Sequence, residues 1–182
     1  GGYAAALCNV GGTMTIVSGT FTSEKYAALY VEAGNIDISG GIFTSADYAA
    51  LYAVGGSVKA FGGIFTNEGT SVNNATKGAV AYIQNATLNT NYAQYNSYAK
   101  GVYISNGGIL FIRSAPEFNV MATTEEAYMI YTDGDATVSI SGGYFTASNE
   151  ATKTYFTNDD IATWTVTTGF YNVTTEGKTL WL

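Results

Sequence analysis

The sequence predicts an all-β chain wound into a parallel solenoid of about seven coils, each of 22 or more residues with three short strands. Three observations predict it. The 182 residues include 25 Thr, 15 Tyr and 22 Gly but a single Pro, a mixture of strand-formers and turn-formers. Residues 13–22 (TMTIVSGTFT) return as 35–44 (NIDISGGIFT) and 57–66 (SVKAFGGIFT), 22 residues on each time and without a gap. Within each copy apolar and polar residues alternate with period 2, the mark of a half-buried strand.

The elements of one unit follow in order. The first strand is spelled AALY at 27–30 and 49–52, with AAL at 5–7 before them. If Leu29 and Leu51 face inward, Tyr30 and Tyr52 face outward, with Cys8 on the coil before and Tyr82 on the coil after. The second strand turns Met14, Ile36, Val58, Leu88, Leu110 and Val138 inward, while Thr13/Thr15, Asn35/Asp37 and Ser57/Lys59 face out. The Gly pairs at 40–41, 62–63 and 142–143 then reverse the chain at positive φ. The third strand carries an aromatic, at Phe21, Phe43, Phe65, Tyr95, Phe118, Phe145 and Tyr171. The spacings of 22, 22, 30, 23, 27 and 26 describe a fixed coil with loops of varied length. The later copies are 87–96, 109–118, 137–146 and 165–174. Three such strands cannot bury a face alone, whereas stacked copies can. A β-sandwich also shows short strands and turns, but it does not require gap-free identity from one strand set to the next.

The whole chain, 1–182, reads as a single β-helix domain cut from a longer protein, with loop insertions at 67–77 and 147–160. The first coil has no evident cap. At the other end Trp164, Trp181 and Leu182 are expected to lie over the last coil.

The SGGxFT…YAALY…GGxVxI pattern, over roughly residues 1–173, resembles the right-handed parallel β-helix, or pectate-lyase-like, repeats of large bacterial surface and secreted proteins. The resemblance implies an extracellular or cell-surface location. It is informative about architecture and weak about activity, since this scaffold carries lyases, hydrolases and adhesins alike.

Composition excludes several chemistries. With no His, the chain has no His-based triad or imidazole base, and with one Cys it has no internal disulfide. A net charge of −7 argues against nucleic acid or an anionic membrane as partner. No apolar run is long enough to insert in a bilayer. Lyases of the resembling family use an acidic calcium cluster with a basic residue. Here Asp37, Lys59 and Asn89 share an outward column, which an ordinary surface ion pair explains. Asn158, Asp159 and Asp160 look like one element of a polygalacturonase site, without its second acidic cluster or its His. Asp133 and Asp135, with Glu125 and Glu126 upstream, are the candidate calcium ligands, although an Asp-Gly turn explains that spelling without a metal. A regular Thr-x-Thr array, as ice binding would need, is not maintained along the second strand.

Tyrosine is the informative excess. Tyr30, Tyr52 and Tyr82 in register would form an aromatic strip, and Tyr92 and Tyr98 flank the coil that departs most from consensus. Flat amphipathic rings suit sugars or protein partners. They also suit a self-stacking ladder, and a register flipped by one would bury them instead. The expected function is a non-enzymatic structural or adhesive module, meeting glycans or host and surface proteins and extending end to end through its coil ends. The alternatives are a carbohydrate-binding module using Tyr30, Tyr52, Tyr82, Tyr92 and Tyr98, or a calcium-dependent polysaccharide lyase; no other cofactor is expected.

Overall fold

The computed structural model describes residues 4–70, 78–121, 128–147, 156–157, 162–167, 172–175 and 178–181. Coil one carries β1 (Leu7–Ile16) and β2 (Thr20–Ser23), and coil two β3 (Leu29–Ile38) and β4 (Ile42–Ser45). Coil three holds β5 (Leu51–Ala53), β6 (Ser57–Ala60) and β7 (Ile64–Asn67); coil four holds β8 (Ala79–Gln84), β9 (Thr87–Thr90) and β10 (Gln94–Ser97). Coil five holds β11 (Lys100–Ser105), β12 (Ile109–Ile112) and β13 (Glu117–Val120), and coil six β14 (Ile130–Asp133), β15 (Thr137–Ile140) and β16 (Tyr144–Ala147). Coil seven has β17 (Phe156–Thr157), β18 (Thr163–Val166) and β19 (Asn172–Thr175), after which comes β20 (Lys178–Trp181).

Each strand pairs in parallel with its counterpart one coil on, so the chain is a parallel β-helix with three columns of strands. In coils one and two the first two strands run together as β1 and β3, ten residues each, which joins two columns into one 12-stranded sheet. The third column is a separate 8-stranded sheet, β2-β4-β7-β10-β13-β16-β19-β20. Its last strand, β20, turns back antiparallel on β19 and covers that edge.

The inward columns are those the alternation marks. Ile36, Val58, Leu88, Leu110 and Val138 are fully buried, and Met14 packs partly buried against them. Phe43, Phe65, Tyr95, Phe118 and Phe145 are buried to within 1%. From Phe21 to Phe145 their rings stack at 4.7 to 5.1 Å with interplanar angles of 7° to 14°. Such pairs add about 0.5–1.5 kcal/mol each beyond the burial itself.

Coil seven corrects the expected register. Trp164, not Val166, pairs with Val138, and Val173, not Tyr171, pairs with Phe145. A slip of two residues leaves the in/out alternation unchanged, so pattern alone does not reveal it. Trp164 is therefore not laid over the last coil. It stands within that coil, partly buried against the core, its indole N–H donating to Thr132 Oγ1 at 3.2 Å. Tyr171 and Leu182 lie outside the described residues, as does most of each insertion, at 71–77, 148–155 and 158–160.

Coil four carries a polar exception inside the core. Tyr95 replaces Phe in the aromatic column, and Thr90 stands between Ala60 and Ile112 in the aliphatic one. Their buried hydroxyls face each other without a well-formed hydrogen bond. Removing an unsatisfied buried hydroxyl while keeping the ring should raise stability. Tyr95→Phe is expected to gain about 1 kcal/mol in urea unfolding, and Tyr95→Phe with Thr90→Val at least as much.

At the turn between the first two columns Gly56 has φ +76°, and a Cβ there would lie 2.3 Å from Gly34 O on the coil below. Gly12 has nearly the same φ, +75°, but nothing within 4 Å. Gly12→Ala should therefore cost only the left-handed backbone penalty, about 1–2 kcal/mol. Gly56→Ala should cost roughly 3 kcal/mol or more, because backbone must move. Equal losses in the unfolding midpoints of the two variants would contradict this stacking.

Candidate functional site

The outward face of the first column is a tyrosine ladder. Pairing runs Cys8, Tyr30, Tyr52, Tyr82, Tyr103, Tyr131 across six coils. Leu29 and Leu51 are fully buried, so Tyr30 and Tyr52 do point outward. The rings lie 5.5 Å apart from Tyr30 to Tyr52, then 5.2, 5.2 and 5.1 Å down to Tyr131. The upper rings are tilted by 49° and 68°, whereas Tyr82 and Tyr103 stack at 10° and Tyr103 and Tyr131 at 27°.

A second row leans over the first. Tyr26 stacks on Tyr48 at 4.8 Å and touches Tyr30 and Tyr52, while Tyr128 touches Tyr103 and Tyr131 and lies under the Lys100 ammonium at 5.3 Å. This second row leaves the ladder half-buried.

The corner before the ladder explains how Tyr26 and Tyr48 are placed. The third strands end in an inward polar column, Ser23, Ser45, Asn67 and Ser97. Ser23 Oγ accepts the Tyr26 N–H at 3.2 Å, and Ser45 Oγ accepts the Tyr48 N–H at 3.0 Å. Ser45 Oγ also donates to Tyr26 O at 2.9 Å, and Ser97 Oγ to Gly78 O at 3.2 Å. Each hydroxyl thus closes its own turn and ties it to the coil below, the Ser-turn device.

Sequence reasoning stopped the strip at Tyr82 and missed Tyr26, Tyr48, Tyr103, Tyr128 and Tyr131. A signal was present for two of them: Ser-x-x-Tyr recurs at 23–26 and 45–48. Tyr92 and Tyr98 do not join the ladder. They sit at opposite ends of β10, 65% and 50% exposed, with no ring contact among the described residues.

Asp133 ends β14 and Asp135 follows in the turn, both exposed. The Tyr103 hydroxyl donates to Asp133 Oδ2 at 2.8 Å, which ties this turn to the ladder. Glu125, Glu126 and 158–160 lie outside the described residues. Among the described residues no three His, Cys, Asp or Glu side chains gather as metal ligands. Asp37, Lys59 and Asn89 share one outward column as expected, and Lys59 Nζ lies 3.8 Å from Asp37 Oδ1 with both side chains about half exposed. An exposed pair of that kind contributes little.

Burial is the main cause of raised phenol pKa values along the ladder. It lifts Tyr26, with Tyr48 next in effect, and Tyr30, with Glu32 next. It lifts Tyr52 further, and Tyr103 too, where Asp133 as hydrogen-bond acceptor adds to it. Tyr128 is held well above the ordinary value by burial, then by Tyr103. No protein-family profile, curated protein or solved structure matches this chain.

Neutral phenols are thus favoured in the fold. Their contribution is intact below the unfolded pKa of about 10. It is lost as pH rises beyond that, because the unfolded chain releases protons that the folded chain keeps. The urea midpoint should fall above pH ~10, and Tyr52→Phe should make the fall shallower.

Proposed function

We propose that this chain is a non-enzymatic structural and adhesive β-solenoid module of a secreted or cell-surface protein, similar to the pectate-lyase-like repeats of bacteria. The observation that carries this reading is the self-stacking of the tyrosine ladder. Tyr82, Tyr103 and Tyr131 spend their faces on one another, and Tyr26 and Tyr48 do the same. A ring whose faces are taken gives a sugar only its edge, whereas stacking on a pyranose uses the face. The ladder accordingly reads as a stiffening seam, the outer counterpart of the phenylalanine column. Extension end to end through coil ends belongs to this reading, as stacked repeats allow. The reading assigns no cofactor.

A second reading, glycan binding, is favoured by Tyr92 and Tyr98, whose rings are exposed and, among the described residues, unstacked. It moves the contact away from Tyr30, Tyr52 and Tyr82.

Incubation with polygalacturonate and calcium is expected to give no unsaturated product; sustained turnover would refute the non-enzymatic reading and promote the lyase. On a glycan array, binding abolished by Tyr92→Ala or Tyr98→Ala but kept in Tyr52→Ala would establish the second reading.

A further inference from the structure

We infer that the tyrosine ladder is an oxidative cross-linking site, at which an external one-electron oxidant of the haem-peroxidase or photo-excited metal-complex class joins Tyr103 covalently to Tyr82 or Tyr131. The inference does not depend on whether the module binds a glycan.

Two features of the ladder place reactive atoms together. The Tyr103 ring stacks on Tyr82 at 5.2 Å and on Tyr131 at 5.1 Å, close enough for ring carbons of adjacent rungs to touch. The Tyr103 hydroxyl already donates to a carboxylate, Asp133 Oδ2, at 2.8 Å. Oxidising a neutral phenol requires that its proton leave with the electron, so a hydrogen-bonded base beside the ring selects where oxidation begins. The Tyr82 hydroxyl lies 3.1 Å from the buried Ser105 Oγ, and Tyr82 itself is only half-buried, which leaves solvent to take the second proton.

The chemistry balances. Tyr103 gives one electron to the oxidant and its phenolic proton to Asp133. A second oxidising equivalent takes an electron from the stacked neighbour, whose phenolic proton goes to solvent. The two phenoxyl radicals pair at ring carbons ortho to oxygen, forming one C–C bond. Each of those carbons then loses its hydrogen as a proton, and each oxygen regains one as the rings rearomatise. The net change is two electrons and two protons lost. Because the rungs are already in contact, coupling needs no diffusive encounter, the advantage of a preset geometry. The product staples coil five to coil four or six, closing a loop of 21 or 28 residues as a disulfide would.

The test is to irradiate dilute folded protein with ruthenium tris-bipyridyl and persulfate, then measure intact mass, dityrosine fluorescence and the linked peptides. The expected result is a monomer lighter by two hydrogens, with the link mapped to Tyr82–Tyr103 or Tyr103–Tyr131. Asp133→Asn, checked by circular dichroism, should lower that yield several-fold, while Asp135→Asn leaves it at the parent level. Links confined to the exposed Tyr92, Tyr98 or Tyr144, or an Asp133→Asn yield equal to the parent's, would overturn the inference.

Discussion

Everything in this molecule depends on parallel strands stacking in register, so that each side chain lies over its counterpart one coil away. Backbone hydrogen bonds set that spacing at about 4.7–4.9 Å. The inner aromatic column repeats it, with rings 4.7 to 5.1 Å apart and nearly parallel. Inside, a ring is hemmed in on every side and has no room to tilt. Outside, the upper tyrosines have solvent on one flank and tilt, up to 68° between Tyr52 and Tyr82.

The corners explain why coil length can vary without damage to the columns. Between coils three and four the repeat lengthens by eight residues, yet Val58 still pairs with Leu88 and Phe65 with Tyr95. The corner polar column survives the insertion. Asn67 Nδ2 donates to Ala79 O at 2.7 Å, and Ser97 Oγ accepts the Lys100 N–H at 3.0 Å. Extra chain leaves at a point where buried backbone groups are already satisfied by side chains, so the insertion disturbs no ladder hydrogen bond.

The same stacking governs what the surface can do. An aromatic array looks like a ligand platform when only its composition is known. Once its rings meet one another, it becomes a seam between coils, in which burial favours the neutral phenols of Tyr52 and Tyr103. Asp133, which the sequence offers as a metal ligand, touches this seam through Tyr103 and gives one rung a chemistry that its neighbours lack.

The inward residues of the second and third strands were legible in the sequence from the 22-residue identity and the period-2 alternation, whereas the facing of Tyr30 and Tyr52 stayed open in the sequence and was decided by the full burial of Leu29 and Leu51. Short-range spacing could not locate the last coil's register, since a two-residue slip preserves alternation and only the pairing of Trp164 with Val138 distinguishes the choices. Nor could it gather Tyr26, Tyr48 and Tyr128 with the ladder, because their rings meet it by leaning across a corner rather than by sharing its strand. The sequence by itself determined the repeat and the inward columns of the second and third strands, since these follow from local periodicity. Tertiary structure alone decided that the tyrosines spend their faces on each other and that Asp133 meets Tyr103, because ring orientation and contacts between turns depend on how neighbouring coils come to rest.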